Sequence, residues 1–108
     1  MEPLINLHYL QQICFGDNSL VREMLDEWKI DTHSKLDEFN KVGLTSKQLF
    51  TIVHNLKTNF FMIGCSPGIR ACEQFLLDKN QNVKPKILSE SLLEYLKLIE
   101  KEIANPLL

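Results

Sequence analysis

A chain of 108 residues that is 44% hydrophobic is long enough to bury one core and too short for two domains of ordinary size, so residues 1–108 read as a single domain. A formal charge of −2 and a sequence pI near 5.9 argue against a nucleic-acid binder, and no apolar run approaches the ~18 residues needed to cross a bilayer. Three cysteines, an odd count with no paired spacing of the zinc or redox kind, suit a reducing cytoplasm, and the start Met1-Glu2-Pro3 carries an acid where a signal peptide would be basic.

Few glycines and prolines, with recurring Leu, Glu, Lys, Gln and Ile, make an all-α fold the first expectation. Leu4 to Cys14 has apolar residues at helical spacing and stops at Gly16, a short first helix. Asp17 or Asn18 caps a long second helix in which Val21, Met24, Leu25, Trp28, Leu36, Phe39 and Val42 recur at three- and four-residue steps, ended by Gly43. Thr45-Ser46-Lys47-Gln48 reads as a capping box. The helix it opens carries Leu49, Ile52, Val53, Leu56, Phe60 and Ile63 and ends at Gly64, a residue free to adopt the left-handed conformation past a helix terminus.

Ser66-Pro67 restarts the chain as cap and first helical position of a fourth helix with Ile69, Cys72, Phe75 and Leu76. The polar run Asp78 to Asn82 follows, and a fifth helix from about Pro85 to Ala104 aligns Leu88, Leu92, Tyr95, Ile99 and Ile103 before Asn105-Pro106 closes it. Short connections favour antiparallel neighbours. The expected architecture is an up-down-up-down antiparallel four-helix bundle with a short additional N-terminal helix across one end.

From Phe39 to Cys72 there is no Asp or Glu, while Lys41, Lys47, Lys57 and Arg70 fall in the same stretch. The stretch is either chance clustering or a surface made for an anionic partner. At about 100° per residue, Leu49, Ile52, Val53, Phe60 and Ile63 lie within about 60° of Leu56, which defines the core face of the third helix. His54 lies about 160° from Leu56, facing solvent, with Phe50 and Phe61 beside it and Lys57 one turn on. Exposing both phenylalanines forgoes a gain of roughly 1.5–3 kcal/mol each; a neighbouring helix end or the first helix is expected to cover one of them but not both.

Neutral imidazole is a competent nucleophile near neutral pH, a nearby ammonium offsets charge on a transferred anionic group, and a local absence of carboxylates lowers the barrier to its approach. The stretch Val53-His54-Asn55-Leu56-Lys57-Thr58-Asn59-Phe60-Phe61-Met62-Ile63-Gly64 resembles the signature of histidine-containing phosphotransfer domains, with lysine three and glycine ten positions after the histidine. The resemblance runs from Leu4 to about Ile103 and includes Ala71-Cys72-Glu73. It implies a bacterial-type phosphorelay intermediate that accepts a phosphoryl group from a receiver-domain aspartate onto His54 and passes it to another receiver. Lys57 then stabilises phosphate charge, Phe50, Thr58 and Phe61 form the receiver docking surface, and Gly64 is structural.

The implied partners are response-regulator receivers or a hybrid sensor histidine kinase, with no cofactor or metal of its own and Mg²⁺ supplied by the receiver. Such a domain has no autonomous kinase or ATPase activity. Thr58 and Asn59 depart from the family's glycine and serine, and Leu76 from a glutamine that orients the imidazole; these departures bear on transfer rate and partner choice. A catalytically silent bundle that docks on a receiver or other signalling protein explains the exposed phenylalanines equally well. A metal-dependent enzyme built on His8, His33, His54 and the cysteines has no supporting Glu-x-x-His pair, and His8 and His33 read as ordinary helix residues. The apolar stripes are used up within one bundle, so a cytoplasmic monomer is expected.

Overall fold

The computed structural model describes residues 4–78 and 84–104, and among them the chain is all-helical, with five helices and no strand. Short-range signals set the start of α2 and both ends of α3. Helix α1 spans His8–Ile13, α2 Asn18–Phe39, α3 Ser46–Met62, α4 Ser66–Leu77 and α5 Pro85–Ile103. The Asp17 side chain accepts from the backbone N–H groups of Ser19 and Leu20 at 2.9 and 3.2 Å, which caps α2. Both bonds of the expected capping box open α3: Gln48 N–H donates to Thr45 Oγ1 at 3.1 Å, and Thr45 N–H donates to Gln48 Oε1 at 2.8 Å.

The end of α3 is closed by a pair of backbone bonds, Cys65 N–H to the Phe60 carbonyl at 2.9 Å and Gly64 N–H to the Phe61 carbonyl at 3.0 Å. That pattern requires a left-handed residue at Gly64, whose φ is +63°. Only Ile63, Gly64 and Cys65 separate α3 from the next helix. Cys65 serves as the cap of α4, taking Ile69 N–H on its carbonyl at 3.0 Å, so Ser66 is already helical and lies one residue further in than its expected place as cap.

Two other boundaries differ from expectation, the first for a tertiary reason. Residues 4–7 are not helical although their spacing is. Leu4 N–H donates to Glu102 at 2.8 Å and Asn6 N–H to the Ile63 carbonyl at 2.9 Å, which ties this segment to α5 and to the α3–α4 turn and leaves α1 to begin at His8. Ile5 and Leu7 still reach the core. Helix α2 ends at Phe39, so Val42 is fully exposed in the turn rather than on the stripe. Lys79 to Asn82 of the expected connection, and the Asn105-Pro106 stop, lie outside the described residues.

Helix α3 packs on α2 and α4, α5 packs on α4 and α2, and α1 rests against α2. The shared interior holds Leu25, Trp28, Leu56, Phe60, Leu92 and Leu96, each removed from water and worth about 1.5–3 kcal/mol of burial. Trp28 meets Phe60 edge-on at 6.1 Å between ring centres, and Phe39 meets Phe75 at 5.9 Å. Gly68 in the first turn of α4 lets the Phe60 ring lie against its backbone, since a Cβ there would stand 2.6 Å from the ring. Among the described residues no helix is long and apolar enough to cross a membrane.

Candidate functional site

Burying Ile52, Val53, Leu56, Asn59 and Phe60 against α2 and α4 fixes the rotation of α3 about its axis. That rotation turns His54 to solvent near the middle of a 17-residue helix. Lys47, Phe50, Thr51, Lys57, Thr58 and Phe61 all project within about 60° of His54, and each is exposed or half-buried. The Thr58 hydroxyl donates to the His54 carbonyl at 3.3 Å and that of Thr51 to the Lys47 carbonyl at 2.9 Å. Both hydroxyls therefore lie back along the helix.

Lys57 is brought to this face as expected, but its surroundings are not free of carboxylates. Its Nζ lies 4.0 Å from Glu73 Oε1, which reaches across from α4. Glu73 is the first acid after the acid-free stretch, and helix packing folds it back against that stretch. The expectation of a carboxylate-free site is corrected accordingly. Both phenylalanines also have ring partners, where cover for one alone was expected. Phe50 meets Phe75 of α4 at 5.7 Å and Phe61 meets Tyr9 of α1 at 5.5 Å. They keep 38% and 57% of their surface in water, so a substantial apolar area remains on either side of His54.

Asn59 does not belong to this face. It projects about 140° from His54 and is buried against α2. Its Nδ2 donates to Asp31 and to the buried Thr32 hydroxyl, both at 2.9 Å, and its Oδ1 accepts from Lys35 at 2.8 Å. Its carbonyl accepts from the Trp28 indole at 2.7 Å. Leu76 packs, partly buried, against the core.

The remaining candidate groups are engaged elsewhere or buried. His33 Nε2 lies 2.5 Å from Glu100, a contact between α2 and α5, while His8 is exposed at the start of α1. Cys14, Cys65 and Cys72 are free and buried. Burial pushes the Cys65 thiol up and that of Cys72 to about 12, which suppresses the thiolate a nucleophile needs. Among the described residues no group of three or more His, Cys, Asp and Glu is placed to hold a metal ion.

A hollow of about 260 Å³ lies between the start of α3 and the facing ends of α4 and α5, lined by Leu49, Phe50, Phe75 and Pro85 among others. A second, of about 510 Å³, lies beside the turn after α2. His54 lines neither. The imidazole is exposed on the surface of α3. Compared with protein-family models, curated proteins and solved structures, the chain matches none of them.

Proposed function

We propose that this chain is a histidine phosphotransfer domain of a bacterial-type cytoplasmic phosphorelay. The observation that carries the reading is the solvent-facing His54 at mid-helix with the Lys57 ammonium one turn on. A receiver docks across Phe50, Thr58 and Phe61 with its aspartyl phosphate facing His54. An imidazole nitrogen attacks phosphorus in line, the N–P bond forms, and the P–O bond to the aspartate breaks with the carboxylate as leaving group. A second receiver's aspartate reverses the step. Mg²⁺ belongs to the receiver in this reading.

The architecture that goes with it is the up-down-up-down antiparallel bundle with a short additional N-terminal helix. Supporting it, contacts between α2 and α5 run in opposite sequence order: Arg22 with Ile103, His33 with Glu100, Asn40 with Ser89. The test is mass analysis after incubation with a phosphorylated receiver. An acid-labile phosphoryl adduct on His54, absent from His54→Ala, is expected; label persisting in a folded His54→Ala protein refutes the reading.

A second reading, a catalytically silent module that docks on a receiver or other signalling protein, is favoured by the area that Phe61 and Tyr9 leave exposed together. It predicts receiver binding with no adduct on any residue.

A further inference from the structure

Lys57 and His54 are three residues apart on α3, which sets their Cβ atoms about 5–6 Å apart. The ammonium that serves His54 is also the group that Glu73 approaches to 4.0 Å from α4. Both side chains are wet, with 37% and 44% of their surface exposed, so the pair is weak and adds little to holding α3 against α4. Its electrostatic consequence is larger than its structural one. A carboxylate beside Lys57 lowers the positive field that an approaching phosphoryl group meets at His54.

We infer that Glu73 is a positioning residue that acts through Lys57, holding its ammonium in an ion pair that must open before Lys57 can turn to a phosphoryl group on His54. This rests on reading His54 as the phosphoryl acceptor. A phosphoryl group on imidazole carries close to two negative charges and outcompetes one carboxylate for Lys57, which leaves Glu73 near a dianion without its counter-ion. The phosphorylated state is thereby kept high in energy. That favours onward transfer over storage, and it slows loading by an anionic donor.

The experiment uses the full chain and phosphoramidate, a small donor that needs no receiver. The imidazole attacks phosphorus, the N–P bond of phosphoramidate breaks, and ammonia leaves with the ring proton as ammonium. Glu73→Gln should load His54 roughly two- to fivefold faster than the unaltered chain at low ionic strength, and the two rates should converge as salt screens the pair. Glu73→Asp should return toward the original rate. In a Lys57→Gln background, Glu73→Gln should change the rate little.

Equal rates for Glu73→Gln and the unaltered chain overturn the inference and leave His54 as acceptor intact. An equal acceleration with and without Lys57 also overturns it, because the carboxylate then acts by direct repulsion. No phosphoryl adduct on His54 of the unaltered chain, with either phosphoramidate or a phosphorylated receiver, overturns this inference and the proposed function together. Circular dichroism and urea denaturation of each variant show that the bundle is retained.

Discussion

The indole N–H of Trp28 donates to the carbonyl of Asn59 at 2.7 Å, a helix carbonyl drawn into a buried bond between α2 and α3. The Asn59 side chain extends the connection to Asp31, Thr32 and Lys35, and Thr32 is wholly buried. Replacing Asn59 with Ser removes the amide and leaves the Thr32 hydroxyl short of a partner, a loss of about 1–3 kcal/mol. Urea denaturation should show that drop. Because the side chain faces away from His54, the loading rate of His54 by phosphoramidate should stay within about twofold of the original. A large rate increase in Asn59→Ser would show that the residue acts on the His54 face after all.

Gly64 combines two demands that a side chain meets badly. Its φ is +63°, and a Cβ would stand 2.4 Å from the Asn6 carbonyl oxygen and 2.8 Å from Asn6 Cβ. The left-handed conformation alone costs a non-glycine residue roughly 1–2 kcal/mol. Gly64→Ala adds displacement of the Asn6 backbone, whose N–H bonds to the Ile63 carbonyl. Gly43, with φ +87° and nothing within 4 Å of a built Cβ, carries the conformational cost alone. Gly64→Ala should therefore lose about 2 kcal/mol or more, clearly exceeding Gly43→Ala in the same denaturation assay. Equal losses would mean that the contact with Asn6 carries no energy.

The elements legible in the sequence are those written in short-range chemistry. The Thr45–Gln48 box, the Asp17 cap, the Gly64 stop and the core stripe of α3 each depend on residues within a few positions of one another, and the exposed placement of His54 follows from that stripe. What was not legible depends on which helix lies next to which. The Lys57–Glu73 pair joins residues on two helices, as do the Asn59 network and the Phe60 ring on Gly68. No periodicity encodes those meetings. Residues 4–7 mislead for the same reason: their apolar spacing suits a helix, but bonds to Ile63 and Glu102 hold them outside one.

Asp31 gives the fold an acid-sensitive contact. The Lys35 ammonium, 2.7 Å away, holds its carboxyl below the ordinary carboxylate range, the Asn59 amide acts in the same direction, and partial burial opposes both. A group whose folded-state pKa is depressed contributes stability that is complete above its unfolded value near 3.8 and is lost as pH falls through the lower folded value. Asp31→Asn removes that contribution. Between neutral pH and pH 3 its stability should fall less steeply than that of the unaltered chain, by no more than ~1 kcal/mol because the Asp31 side chain is about half exposed. Parallel acid limbs would show that the ion pair has no weight.

Phe15 stands in the turn between α1 and α2 with φ +53° and 96% of its surface in water. It gains almost nothing from burial, so nothing offsets the cost of its left-handed backbone. The conformation itself is required. Gly16 follows at φ +74°, and the bonds from Gly16 N–H to the Gln11 carbonyl and from Asp17 N–H to the Cys14 carbonyl, both 2.9 Å, turn the chain toward the Asp17 cap. Asn tolerates this region far better than an aromatic residue, so Phe15→Asn should raise stability by about 0.5–1 kcal/mol without altering helix content. Thermal and urea unfolding followed by circular dichroism measure both quantities. A loss of stability would mean that the Phe15 ring shields the turn or the end of α1, and that its exposure understates what it contributes to the fold.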